Sequence, residues 1–454
     1  MFSKATLKEL FVLALPMVVS QGAFALMVFT DRFFMSRLDA THIAAALGGG
    51  VTFFVTIALF NGIMAYANAL VAQYYGAGQF SKCPRVLTQG VILAFLCLPL
   101  LLPLTWWISD VFAWMGHEAE QVELETQYYF ALMAGAILTL VKTCFASYFS
   151  GIGRTRVVMI SDVIGVACNI PLSWMLIFGH FGLPALGIVG AGIGTVLATG
   201  VTLSVYLLFY LNRTHRQQFS VAQSFAFNAG IMRRYVRLGF PSGFEMFIGA
   251  ATFNLFLLLF QSYGVDEGAA MAIVFNWDML SYVPLIGLNI AVMSLIGRYV
   301  GAGDLSRANQ VISSGFIIAL GYSAVLGLCF IIFRIELMDV FQTPEDDFAS
   351  IRELGAKMMI GMATYVMADA VILVCSGTLR GAGDTRWLMT ASILIHLAML
   401  AVQVLVIKGM TLPPLVSWWV FVGTLIWLAV TYLLRVLRGR WRRPQRLARV
   451  MLET

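Results

Sequence analysis

The sequence predicts an all-α membrane protein in which twelve transmembrane helices form two six-helix bundles related by a pseudo-two-fold axis along the membrane normal. Three observations carry that expectation: an apolar composition, twelve runs long enough to cross a bilayer, and an internal repeat. Of 454 residues, 60% are hydrophobic and 11% charged, whereas roughly a quarter of a soluble globule is charged. The net charge of +6 does not speak for nucleic acid, because Arg435, Arg438, Arg440, Arg442, Arg443, Arg446 and Arg449 crowd the stretch after the last apolar run. There they read as a cytoplasmic anchor on anionic membrane lipid.

The spans fall at about 10–35, 43–72, 86–109, 126–150, 157–179, 186–211, 238–263, 268–297, 309–333, 354–379, 387–407 and 412–434. The first follows Lys4 and Lys8, carries Pro16 and runs unbroken through Thr30 to Asp31. That is longer than a signal-peptide core, so an uncleaved helix is expected despite the Ala23-Phe24-Ala25 sequence. The second carries Gly48-Gly49-Gly50, which read as packing positions. Acidic residues (Asp110, Glu118, Glu120, Glu123, Glu125) follow the third. The fourth carries Lys142 and closes on a glycine turn, the fifth carries Asp162, and the sixth leads into the connection 212–237. Pro241 and Glu245 lie in the seventh and Asp278 in the eighth; Glu336, Asp339, Glu345, Asp346 and Asp347 follow the ninth. In the tenth, Asp369 stands eleven residues before Arg380, about 16 Å along a helix and hence near the middle of a ~30 Å hydrocarbon core. The last two spans are apolar and lead to the arginine-rich tail.

With both termini inside, 22 of the 29 Lys and Arg residues fall on the inner side, as the positive-inside rule demands. The expected units are an N-terminal bundle, 1–211, a cytoplasmic linker, 212–237, a C-terminal bundle, 238–434, and a basic tail, 435–454. None of the six cysteines lies in an outer stretch, so no disulfide framework is implied.

The halves echo one another. Tyr74-Tyr75-Gly76-Ala77-Gly78-Gln79-Phe80-Ser81-Lys82 matches Tyr299-Val300-Gly301-Ala302-Gly303-Asp304-Leu305-Ser306-Arg307 at an offset of 225, and Pro16 matches Pro241. Gly151-Ile152-Gly153-Arg154-Thr155-Arg156 matches Gly381-Ala382-Gly383-Asp384-Thr385-Arg386 at an offset of 230. Both copies fall on the inner side, so the repeat is parallel, and two such bundles facing across a cleft suit alternating access. The glycines are expected to allow tight turns and close backbone approach, and the adjoining arginines to hold topology.

These motifs, with a proline-bearing first helix that ends in Asp31 and the Leu379-Arg380-Gly381 turn after Asp369-Ala370-Val371, are similar to those of the multidrug and toxic compound extrusion (MATE) transporters, in the NorM-like or DinF-like bacterial branch. The resemblance covers essentially all twelve spans. It implies coupling-cation and substrate binding by carboxylates on helices 1, 7 and 10, which here points to Asp31, Glu245 and Asp369. Glu245 departs from the pattern, since the NorM-like glutamate stands one turn further from the proline, where this chain has Gly249.

An ionisable residue inside a membrane is a functional-site hypothesis by default. Asp369 and Asp31 are the principal candidates, the alternative for Asp31 being an interfacial pair with Arg32 or Arg37. Asp278 reads equally as functional or structural. Asp162 is expected to pair with Arg156, and Lys142 to be a counter-charge in the N-terminal bundle. Met246, Trp277, Tyr282 and Tyr365 are candidates to line the cleft, where aromatic faces and carboxylates suit organic cations. Pro16 marks a bend in helix 1.

The expected function is a secondary active multidrug antiporter, exchanging inward protons or sodium for outward organic, mostly cationic, compounds. It is expected in the bacterial inner membrane as a multi-pass monomer, with no cofactor, no nucleic-acid partner and no metal, save a sodium ion at Asp31 or Asp369. The alternative is a lipid or lipid-linked sugar flippase, whose cleft should carry several cations for phosphate. An intramembrane enzyme is not expected: there is no DDxxD, and the HExxH lookalike His117–Gln121 fails at its last position.

Overall fold

The structure, a computed structural model, describes residues 3–114, 118–342, 348–443 and 447–448. His117, Glu345, Asp346, Asp347, Arg446 and Arg449 lie outside the described residues.

All twelve expected spans are helical. They are α1 (Lys4–Met35), α2 (Ala40–Ala65 continued by Ala67–Gly76), α3 (Lys82–Leu96 and Leu98–Trp114), α4 (Ala119–Ala134 and Ala136–Gly151), α5 (Thr155–Phe178) and α6 (Gly187–Leu211), then α7 (Ala229–Gln261), α8 (Val265–Gly301), α9 (Leu305–Ile332), α10 (Ala349–Gly381), α11 (Thr385–Val404) and α12 (Pro414–Leu437). Apolar periodicity does not reveal that α3 and α4 are bent, by 42° and 49°. In α4 the break falls at Gly135, where a Cβ would strike Val196 of α6, so only glycine lets the helix turn there. Ser3 and Asn228, again 225 apart, cap α1 and α7 by accepting from backbone N–H groups that the first turn leaves unpaired.

The packing follows the repeat. Contacts of α1 with α5 and of α2 with α4 recur as α7 with α11 and α8 with α10, while α1 crosses to α8, α7 to α2, and α2 meets α8. The early turns of the first helix of each half are exchanged. Leu10, Leu13 and Ala14 of α1 join a core built by α8 to α12, and Ile231, Tyr235 and Leu238 of α7 join the core of the first half.

The repeated glycines make this crossing possible. A Cβ at Gly76 would strike the Arg298 carbonyl, and one at Gly301 the Gln73 carbonyl, so each helix end lies on the other's main chain. One at Gly151 would come 2.8 Å from the Asn68 oxygen, and one at Gly381 2.7 Å from the Met293 oxygen. Gly62 against Gly243 and Gly287 against Val18 repeat the arrangement at the α2–α7 and α1–α8 crossings. The second turn glycines, Gly78, Gly153, Gly303 and Gly383, have φ of 73°, 80°, 74° and 78°, a left-handed conformation that costs other residues about 1–2 kcal/mol. All four turns therefore lie at one end of the molecule, as the parallel repeat requires.

That end is closed by hydrogen bonds between the halves. Gln73 Nε2 donates to the Gly381 carbonyl (2.7 Å), Ser294 Oγ to Ser150 (2.7 Å) and Asn68 Nδ2 to Ile290 (3.2 Å), while Arg234 of α7 donates to Gln73. Arg435, grouped with the tail arginines by sequence, does not reach for lipid. It is 9% exposed and pairs with the buried Asp384 at 2.8 Å.

Candidate functional site

In the N-terminal half the intramembrane polar groups form two clusters. Asp31 on α1 is 6% exposed and accepts from Thr195 Oγ1 of α6 at 3.0 Å. Asn169 of α5 donates to Thr195 and Ser173 (3.3 and 3.2 Å). Asp31 Oδ1 and Asn169 Oδ1 remain buried without a hydrogen-bond partner, so two acceptor oxygens lie in a site otherwise lined by neutral donors. Asp31 is thus not the interfacial ion pair that Arg32 or Arg37 would make; the Arg37 guanidinium instead lies over the Phe33 ring.

The second cluster lies near the middle of α1. Asp162 of α5 accepts from Ser20 of α1 and, at a long 3.4 Å, from the Tyr206 hydroxyl of α6, and it pairs with Lys142 Nζ of α4 at 3.4 Å. This corrects the expected Asp162–Arg156 pair: residues six apart project from different faces of a helix and lie about 9 Å apart along its axis. It also supplies the missing partner of Lys142.

The C-terminal half is arranged differently. Asp369 on α10 is 8% exposed and lies close enough to Asp278 on α8 to feel its charge. Ser281 Oγ donates to Asp278 at 2.9 Å. Tyr365, fully buried against Trp418 and Phe421, and Tyr282, 37% exposed, stand within electrostatic reach of both carboxylates. Among the described residues no cation is ion-paired with either. Arg380, expected to hold topology, instead reaches back from the turn to form an ion pair with Glu245 of α7, so Glu245 is already neutralised. Among the described residues the two halves thus leave Asp31, Asp278 and Asp369 without an ion-paired cation and give Asp162 and Glu245 one each.

The remaining candidates have defined places. Met246 packs on Gly62 at the α2–α7 crossing. Trp277 Nε1 donates to the Leu337 carbonyl at 3.1 Å, which ties α8 to the segment after α9. Pro16 is buried inside an unbroken α1. Sequence reasoning missed Asn169, Ser173, Thr195 and Tyr206, because a neutral polar residue in an apolar helix looks ordinary. The available signal was the Asn169/Ser173 spacing of four, which puts two polar groups on one face. It missed as well that Glu125, placed in an outer acidic stretch, is fully buried where α4 meets Gly48 and Gly49 of α2.

Comparison with known proteins follows the same outline. The MatE family model matches residues 16–175 and 241–405. The chain is 27% identical over 386 residues to the "Probable multidrug resistance protein NorM" of Pasteurella multocida, covering 84% of this chain and 82% of that one. It is 27% identical over 445 residues to the "Multidrug resistance protein MdtK" of Yersinia pseudotuberculosis, covering 96% of each. Among solved structures, a MOP superfamily transporter from Pyrococcus furiosus superposes with a TM-score of 0.87 at 20% identity, covering 98% of this chain and 100% of that one. An outward-facing multidrug resistance MATE transporter superposes with a TM-score of 0.85 at 20% identity, covering 99% of each. At that identity the structures speak to the fold alone.

Proposed function

The chain belongs to the MatE family of membrane transporters, and from that premise we propose that it is a secondary active exporter that exchanges inward protons or sodium for outward organic cations. The observation that carries the reading is the carboxylate pair Asp278–Asp369, set among Tyr282 and Tyr365 with no ion-paired cation among the described residues. A dry carboxylate is costly to leave charged and unpaired, so the pair favours binding either a proton or an organic cation, whose flat face the tyrosines accept. Asp31 offers a second such place in the other half. Competition for these carboxylates couples the two fluxes, and rocking of the halves about their crossing helices presents the site to either side. The multidrug-resistance names of the relatives agree with this reading.

The distribution of basic residues supports a multi-pass protein of the bacterial inner membrane with the glycine turns and both termini in the cytoplasm. In that orientation the hydrogen bonds between Gln73, Gly381, Ser150 and Ser294 close the cytoplasmic end. A phosphate-bearing lipid is the less suitable cargo, because Lys142 and Arg380 are each ion-paired with a carboxylate.

The test is uptake of ethidium into everted vesicles, driven first by a sodium jump at fixed pH and then by a pH jump without sodium. One of the two should drive transport and the other should not. Indifference to both gradients, or accumulation of a lipid pyrophosphate on the purified protein, would remove this reading.

A further inference from the structure

The cluster around Asp162 is separate from Asp31 and from the carboxylates of α7, α8 and α10. Four helices meet on it: α1 through Ser20, α4 through Lys142, α5 through Asp162 itself and α6 through Tyr206. Ser20 and Tyr206 are 1% and 0% exposed, so the carboxylate is held by two immobile hydroxyls. Its cation is the more accessible partner. The Lys142 ammonium sits on a four-carbon stem with one ion-pair contact at 3.4 Å, and the side chains of Lys142 and Asp162 keep 24% and 12% of their surface accessible. The adjacent Thr143 is fixed instead to Asn61 of α2 at 2.7 Å. A rigid anion with a swinging, reachable cation is an exchangeable cation site.

We propose that Asp162 binds the ammonium group of a transported amine, with Lys142 as a tethered cation that fills the site when it is empty and yields it to the substrate. This rests on the export reading above. When a substrate ammonium pairs with Asp162, the Lys142 ammonium swings clear of the carboxylate on its flexible stem, toward the side on which it keeps accessible surface. Asp162 of α5 faces Lys142, and the other groups bonded to the carboxylate are the hydroxyls of Ser20 on α1 and Tyr206 on α6.

The test uses the purified chain in nanodiscs, with monodansylcadaverine, a fluorescent primary amine, as the probe. Lys142→Gln removes the competitor and should bind the probe about ten-fold more tightly at pH 7.5. Lys142→Arg keeps a permanent cation and should bind it about ten-fold more weakly. Adding Asp162→Asn to Lys142→Gln should abolish the gain. Equal or weaker binding by a monodisperse Lys142→Gln overturns the inference, as does a double variant that merely regains wild-type melting with no change in affinity along the series. If wild type binds neither this amine nor ethidium, the export reading itself fails and this inference with it.

Discussion

The two halves share a backbone and differ in charge. Ser20 of α1 and Glu245 of α7 occupy equivalent positions, yet one donates a hydroxyl to Asp162 and the other is a carboxylate paired with Arg380. The equivalent of Asp31 is Phe256, fully buried and stacked on Phe421 at 4.5 Å. Where the first half keeps an anion at this level of its first helix, the second has a dry aromatic stack and carries its cation-free carboxylates on α8 and α10. The glycine crossings, by contrast, recur in both halves, because at each the glycine brings main chain close against main chain. Backbone contacts hold the halves to one geometry, while interior side chains are free to diverge, and that freedom leaves the carboxylates of the two halves in unlike surroundings.

The comparison is broken most severely at the crossings. Gly76→Val and Gly301→Val each force a branched side chain onto a carbonyl of the opposite half, so both should lose monodisperse protein in size-exclusion chromatography, and to the same degree. Gly78→Ala and Gly303→Ala meet open space and suffer only the left-handed backbone, about 1–2 kcal/mol, so both should remain folded. A tolerated Gly301→Val beside a lethal Gly76→Val would break the two-fold equivalence.

Next in size are the carboxylates. Asp369→Asn keeps shape and hydrogen-bonding capacity but cannot carry the charge, so ethidium uptake into everted vesicles should fall to background with folding intact. Asp31→Asn should impair uptake less, since Thr195 and Asn169 still shape its site. Wild-type rates in Asp369→Asn would mean that the C-terminal pair is structural. Glu245→Gln should act chiefly on stability, because it strands Arg380, and breaking a buried pair from one side costs about 3–5 kcal/mol. Changing both residues to glutamine should recover much of the lost melting temperature. If the double variant melts no higher than the single, the pair is not what holds α7 to α10.

Much of the scaffold was legible in the sequence. Twelve apolar runs gave twelve helices, and the glycine motifs gave the parallel repeat, because hydrophobic length and left-handed turns are local properties. The bends of α3 and α4 were not legible, since a break at Gly135 depends on Val196 of another helix. The carboxylates stood out by their cost in a membrane, but their partners did not. Lys142 finds Asp162, and Arg380 finds Glu245, across distances in sequence that no spacing rule spans. Asn169, Ser173 and Thr195 complete the Asp31 site with uncharged groups, which composition does not distinguish from ordinary packing.

The smallest difference between the halves lies where each ends. After α12 a single turn, Arg440–Arg442, buries Trp441, whose indole donates to the Val436 carbonyl at 3.1 Å. After α6 a short helix, Arg213–Phe219, buries His215 instead, between the Arg154 guanidinium (2.9 Å) and the Tyr148 hydroxyl (3.0 Å). Arg154 has only protons to give, so His215 Nδ1 accepts and Nε2–H donates to Tyr148. Burial, reinforced by the Arg154 charge, pushes the imidazole down from 6.5 to about 4. The folded state therefore favours the neutral ring, and the contribution is complete above pH 6.5 and lost as pH falls toward 4. At most about 3 kcal/mol is at stake, at roughly 1.4 kcal/mol for each tenfold change in proton affinity. His215→Gln can accept from Arg154 and donate to Tyr148 without titrating. Melting temperatures measured from pH 7.5 to 4.5 should converge, with wild type losing its advantage over the variant as acid is added. The turn that holds Trp441 should show no such dependence, and parallel wild-type and His215→Gln curves would mean that the linker is not held through a neutral histidine.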